Sequence, residues 1–198
     1  MRKIRSVATE VKSNLRIGII GAGVAGMSAA ILLRKLGHEV CIFERSNKLE
    51  SLGAGIQISS NGRFVLDKLD VDNEIQKLAS RPTALTLFDV RRDCTIGNIE
   101  IYNRLQARYN RRFFVLHRAD LINTLYKKII RDGINISFGS SAKPQKRDNR
   151  IIISIDDDKT RIEKDLIVVA DGVNSLWKKI LLKENKFKPI SQSAYRFT

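Results

Sequence analysis

Six consecutive residues constrain this chain more than anything else in it. Gly21-Ala22-Gly23-Val24-Ala25-Gly26 follows a short apolar run, Leu15 to Ile20, and opens an Ala-, Leu- and Ile-rich run from Val24 to Leu36. A bare G-x-G-x-x-G carries little information, but between a strand and a helix each glycine has its own task. Gly21 permits the tight turn, Gly23 lets backbone approach a pyrophosphate, and Gly26 lets helix and strand pack closely. The helix start at Val24 and Ala25 then presents free N–H groups and a positive dipole end to phosphates. Gly37 closes the helix as a left-handed residue, and Glu39 to Phe43 reads as a second strand. The result is a strand-helix-strand unit of the size of a βαβ module. Glu44 ends that second strand, 18 residues beyond Gly26. A carboxylate there accepts hydrogen bonds from ribose hydroxyls and repels a 2′-phosphate, so the expected ligand is FAD or NAD rather than NADP.

The remaining pattern extends an α/β fold. Asn61 to Leu69 and Asn73 to Ala79 read as short helices, and Leu85 to Val90 pairs with Thr95 to Tyr102 as a hairpin. Phe113 to Leu116 reads as a strand. Asp120 to Arg131 has apolar residues at 121, 122, 125, 129 and 130, the spacing of an amphipathic helix, and Gly133 stops it. Ile134 to Phe138 and Ile151 to Ile155 alternate as strands do, and the apolar run Leu166 to Ala170 reads as a buried strand. A helix from Val173 to Leu182 follows. Asp171 and Gly172 thus stand at the end of a buried strand, where open α/β sheets bind ligands. A plain strand-to-helix turn is the bland alternative.

Charge and cysteine content narrow the classes. Lys+Arg 36 against Asp+Glu 21 gives +15. Such an excess suits an anionic partner, although codon drift toward Ile, Lys and Asn produces the same excess with no partner at all. The stretch Tyr102 to Arg118 interleaves arginines with Tyr109, Phe113 and Phe114. It reads as a strand pair with a basic solvent face in preference to a single-strand nucleic-acid surface, so no nucleic acid is expected. No apolar run approaches the ~18 residues of a membrane helix. Cys41 and Cys94 form no C-x-x-C pair, which points to a reducing cytoplasm, and two histidines offer no metal cluster. Residues 1–14 read as a basic, flexible leader with no secretory h-region.

The quoted glycine motif with Ala30, Gly37, Glu44 and Arg45 resembles the flavoprotein aromatic hydroxylases, FAD-dependent monooxygenases of the p-hydroxybenzoate hydroxylase fold. Three more segments agree and lie in family order. Gly53 to Asn61 is similar to the loop and strand after the first βαβ unit, and it carries Gln57. His117-Arg-Ala-Asp-Leu121 is similar to an Arg-x-x-Leu helix start whose arginine, Arg118 here, lies beside the cofactor. Asp165 to Ser175 is similar to the family's Asp-Gly motif, at Asp171 and Gly172, which is associated with FAD and NAD(P)H binding. The resemblance implies a Rossmann-like FAD/NAD(P)-binding domain over residues 15–182, with a strand-rich insert at about 80–117, truncated at its C-terminus relative to the family. Residues 183–198 would begin a substrate domain. It also implies use of FAD, NAD(P)H and dioxygen to insert one oxygen atom into an activated aromatic or quinone-like substrate.

Arg45 and Gln57 also suit solvent-facing positions, and Arg118 a solvated helix start. Val169 and Lys178 depart from the family's usual residues, and no second Gly-Asp motif is found. Two further readings therefore stand beside the active enzyme: a catalytically silent fragment of a split or decaying gene, and a nicotinamide-only dehydrogenase. A separately encoded C-terminal half as partner would argue against the silent fragment, because the pair could then act together. No catalytic side chain is nominated.

Overall fold

The computed structural model describes residues 14–49, 54–147, 150–155, 160–175 and 177. In chain order the elements are β1 (Arg16–Ile20), α1 (Val24–Lys35), β2 (Glu39–Phe43), β3 (Gly55–Ile58), α2 (Ser60–Lys68), α3 (Asp72–Leu78), β4 (Ala84–Asp89) and β5 (Cys94–Glu100). There follow α4 (Tyr102–Tyr109), β6 (Phe114–His117), α5 (Arg118–Arg131), β7 (Asn135–Ser137), β8 (Ala142–Arg147), β9 (Arg150–Ile155), β10 (Thr160–Glu163) and β11 (Leu166–Val169).

The centre is a four-stranded parallel sheet in the order β11-β1-β2-β7. Ile17 faces Leu166 on one side and Val40 on the other, and the register continues without a slip to Ile20. Both faces of β1 are covered, which is why its sequence is apolar without alternation. On one face Ile17, Ile19 and Ile42 pack with Met27 and Ile31 of α1 and with Leu125 and Ile129 of α5. Each of these side chains is fully buried and contributes about 1.5–3 kcal/mol. On the other face Ile20, Phe43 and Val169 meet Ile153, Ile155 and Ile162 of the antiparallel sheet β10-β9-β8. The core is thus three layers, with every strand end of the parallel sheet pointing the same way.

A second body carries α5 to its place. β3 pairs antiparallel with β6, and β6 runs directly into α5 at Arg118. Behind it, Arg63 of α2 holds Asp72 of α3 in a buried two-point ion pair, Nε to Oδ1 at 3.0 Å and Nη2 to Oδ2 at 2.5 Å. Gln76 donates to the same carboxylate at 2.9 Å. The Arg63 guanidinium also lies 4.0 Å from the centre of the Phe114 ring. This fixes the first residue of β6 and, through it, the start of α5.

Three expectations need correction. The basic aromatic stretch is no strand pair: Tyr102 to Tyr109 forms α4, and a strand begins only at Phe114. Tyr102, Leu105 and Tyr109 recur at helical spacing, and Asn110 ends the helix with a left-handed φ of 51°. The second strand of the hairpin accordingly stops at Glu100. The helix expected from Val173 is not there at its start, since Val173 and Asn174 form a turn. Finally, α5 begins at Arg118, two residues before the expected Asp120. The leader up to residue 13, the acidic turn at 156–158 and the tail at 183–198 lie outside the described residues.

Candidate binding cleft at the strand ends

The three glycines of the motif differ in what surrounds them. Gly21 has a φ of +102°, and a Cβ there would stand 2.5 Å from the Ala170 carbonyl oxygen. Its N–H donates to Phe43 O at 2.8 Å, closing the turn over β2. A Cβ on Gly26 would stand 1.9 Å from Gly21 O, so the helix lies directly on the turn. Gly23 is different: a Cβ there would meet nothing within 4 Å. The protein's own packing requires no glycine at that position. Gly23 is also the N-cap of α1, with no side-chain cap, so the first-turn N–H groups have no intrahelical or side-chain partner. Open space, uncapped donors and the dipole's positive end together make an anion cradle.

Glu44 is locked against that turn. Its Oε2 accepts the Ala22 N–H at 2.8 Å and its Oε1 accepts the Ser46 N–H at 2.9 Å. The Glu44 backbone is fixed too, its N–H donating to Ser137 O at 2.9 Å and its carbonyl accepting Ser140 N–H at 2.8 Å. Each carboxylate oxygen keeps a second lone pair. The side chain therefore aligns the turn and still has acceptor capacity for hydroxyls.

A cleft of about 330 Å³ joins these parts across the strand ends. Of the residues read from sequence, Gly21, Ala22, Gly23, Glu44, Arg45, Arg118, Asp171 and Gly172 line it. Val24, Ala25 and Gly26 form the first turn of α1 behind the lining. Gln57 does not reach the cleft; it is exposed on β3, opposite Val115. Ser46, Leu49, Ile122, Ser140, Ser141, Ala142, Asn174 and Trp177, together with Ile20, Phe43 and Ala170, complete the wall and are not among the site residues read from sequence. Ser140 and Ser141 come from the connection between β7 and β8, which carries no motif, and only the fold brings it beside Glu44. Asp171 sits where β11 ends, held there by Ala170 N–H donating to Ile20 O at 2.8 Å, and Gly172 turns the chain with a φ of +83°. Among the described residues no group of acids, cysteines and histidines has the arrangement of a metal site.

These features fit a dinucleotide: donors without partners at Gly23, acceptors at Glu44, and two guanidinium groups on the wall. Residues 14–191 match the family described as FAD binding domain. The chain belongs to the FAD-binding domain family. That match decides for FAD over NAD as the resident dinucleotide. The curated relatives of this FAD-binding domain include 3-amino-4-hydroxybenzoate 2-monooxygenase of Streptomyces cremeus, 29% identical over 88% of this chain and 44% of its own. The FAD-dependent urate hydroxylase of Mycolicibacterium vanbaalenii is 28% identical over 85% of this chain and 42% of its own. Among solved structures, the tetrameric form of 2-methyl-3-hydroxypyridine-5-carboxylic acid oxygenase superposes with a TM-score of 0.70 at 27% identity. It covers 81% of this chain and 40% of its own. The homologues are FAD-dependent aromatic monooxygenases, and this chain spans less than half the length of those it matches.

Proposed function

We propose that this chain holds the ADP part of FAD in the strand-end cleft and serves a monooxygenase that hydroxylates a small aromatic or quinone-like substrate. The observation that carries the reading is the contrast among the glycines. Gly21 and Gly26 are required by the chain's own backbone, while Gly23 is bare only toward the cleft. The first turn of α1 receives the pyrophosphate at Gly23, Val24 and Ala25. Glu44 accepts from the adenosine ribose hydroxyls, and Arg45 flanks the same end. Arg118, at the first turn of α5, faces the ligand's phosphate and ribityl region, and Asp171 with Gly172 closes the cleft beside the turn. Bound FAD supplies the redox chemistry, with NAD(P)H as reductant and dioxygen as the oxygen source. The chain's own residues bind and orient.

The relatives' printed substrates, a hydroxybenzoate and a hydroxypyridine carboxylate among them, support an aromatic ring already activated by an electron-donating group. We place that substrate in the part of the relatives' fold that this chain does not span, supplied in the same polypeptide or by a separate one. Both cysteines are free, which accords with a reducing cytoplasm. Gly23→Val and Glu44→Ala are each expected to abolish the flavin absorbance that the purified chain retains after FAD is added and the excess removed. Retention of that absorbance by both variants would contradict the assignment.

A further inference from the structure

Trp177 is the single tryptophan of the chain. It is 2% exposed, yet it is among the residues that line the cleft. Its Nε1 is also the one buried side-chain nitrogen or oxygen without a hydrogen-bond partner among the described residues. Buried indole N–H groups almost always find an acceptor, because leaving one unpaired forfeits its bond to water. Around it are Ile20, Phe43, Ile153 and Ile155, which offer no side-chain acceptor. Ile20 and Phe43 are the last residues of β1 and β2, immediately before Gly21 and Glu44. The indole thus lies under the part of the cleft assigned to pyrophosphate and ribose.

We propose that Trp177 is a binding residue for the ADP part of FAD, its Nε1–H donating to the seated dinucleotide. This rests on the cleft holding FAD as described above. The nitrogen is shielded from solvent, so pairing involves a turn of the indole about its Cβ–Cγ bond as the ligand enters. That turn changes the surroundings of the ring and makes Trp177 a built-in reporter of occupancy.

The test uses the full 198-residue chain and two titrations. In the first, ADP is added while tryptophan emission is followed. ADP is chosen because flavin quenches tryptophan through space without contact, whereas ADP changes the emission only by altering the indole's environment. A saturable change in intensity or emission maximum is expected. In the second, FAD and ADP affinities are measured for the wild type and Trp177→Phe, below the thermal midpoint of each. The phenyl ring keeps most of the packing and lacks the donor, so both affinities are expected to fall about tenfold, by the same factor. A role in packing alone would lower the thermal midpoint of Trp177→Phe and leave both affinities unchanged. The proposal is overturned if wild type binds FAD while ADP leaves the emission unmoved, or if Trp177→Phe binds both ligands as tightly as wild type. Failure of the wild type to bind FAD at all would instead overturn the functional reading on which the proposal rests.

Discussion

At the scale of single residues, two glycines of one motif are held by opposite constraints. Gly26 is an internal requirement, since the missing Cβ is where Gly21 O lies, 1.9 Å away. Gly26→Ala is expected to cost more than about 4 kcal/mol, in the range reserved for severe steric conflict. In a domain of this size that lowers the melting midpoint by about 10 °C or more. Gly23→Ala meets open space and an ordinary extended backbone, so its melting midpoint is expected to stay within about 2 °C of wild type while FAD affinity falls. Thermal melts with and without FAD check both, and equal loss of stability in the two variants would refute the contrast. The glycine roles and Glu44 could be read from sequence because strand, turn, helix and acid follow one another within thirty residues. Ser140, Ser141 and Trp177 could not, since they reach the cleft through β7 and the strand β11, and no local spacing records that proximity. The second task of Glu44, holding the Ala22 and Ser46 amides, was equally invisible, because it depends on where the turn stands relative to β2.

Elements were legible where burial and period agreed. α1 and α5 each bury an apolar stripe and end in the same way. At α1, Gly37 N–H donates to Arg34 O at 3.0 Å and His38 N–H to Leu33 O at 3.1 Å, the paired bonds of a Schellman end. Gly37 has a φ of +89° with no atom near enough to hinder a methyl group. Gly37→Ala is therefore expected to cost about 1–2 kcal/mol from backbone conformation alone, read as a lower urea midpoint with an unchanged slope. No change in the midpoint would mean that this end is not left-handed in solution. Asp70 takes the same left-handed role after α2, with a φ of 57°. α4 was misread because it has no buried residue at all, so no apolar stripe announces it. Arginines of the helix and of the segment after it turn to rings instead, Arg108 to Tyr109 at 5.3 Å and Arg112 to Tyr102 at 4.6 Å. Interleaved cations and aromatics looked like an extended basic face, whereas the contacts link residues of a helix with the segment that follows it.

For the whole molecule, α/β class, parallel sheet and ligand edge follow from one βαβ unit and one later apolar strand. In the covering sheet β10-β9-β8 the alternation of Ile151 to Ile155 announces β9, whereas the sequence of β8, Ala-Lys-Pro-Gln-Lys-Arg, has no apolar alternation. Its partner β9 holds Ile153 and Ile155 against the parallel sheet, and β8 pairs with β9 along its whole length, from Ala142 opposite Ile155 to Arg147 opposite Arg150. The net charge of +15 also reads differently once the cleft is in view. Arg45 and Arg118 stand on its wall, balanced by Glu44 and Asp171; the cleft itself is therefore not a basic groove, and its selectivity for a dinucleotide rests on the helix start and on acceptor geometry. The most direct check of that claim is a calorimetric titration of the folded wild-type chain with FAD, repeated in the presence of saturating ADP. One FAD bound per chain, displaced by ADP, is the expected result. A chain that melts cooperatively yet takes up no FAD, or takes it up indifferently to ADP, would contradict it.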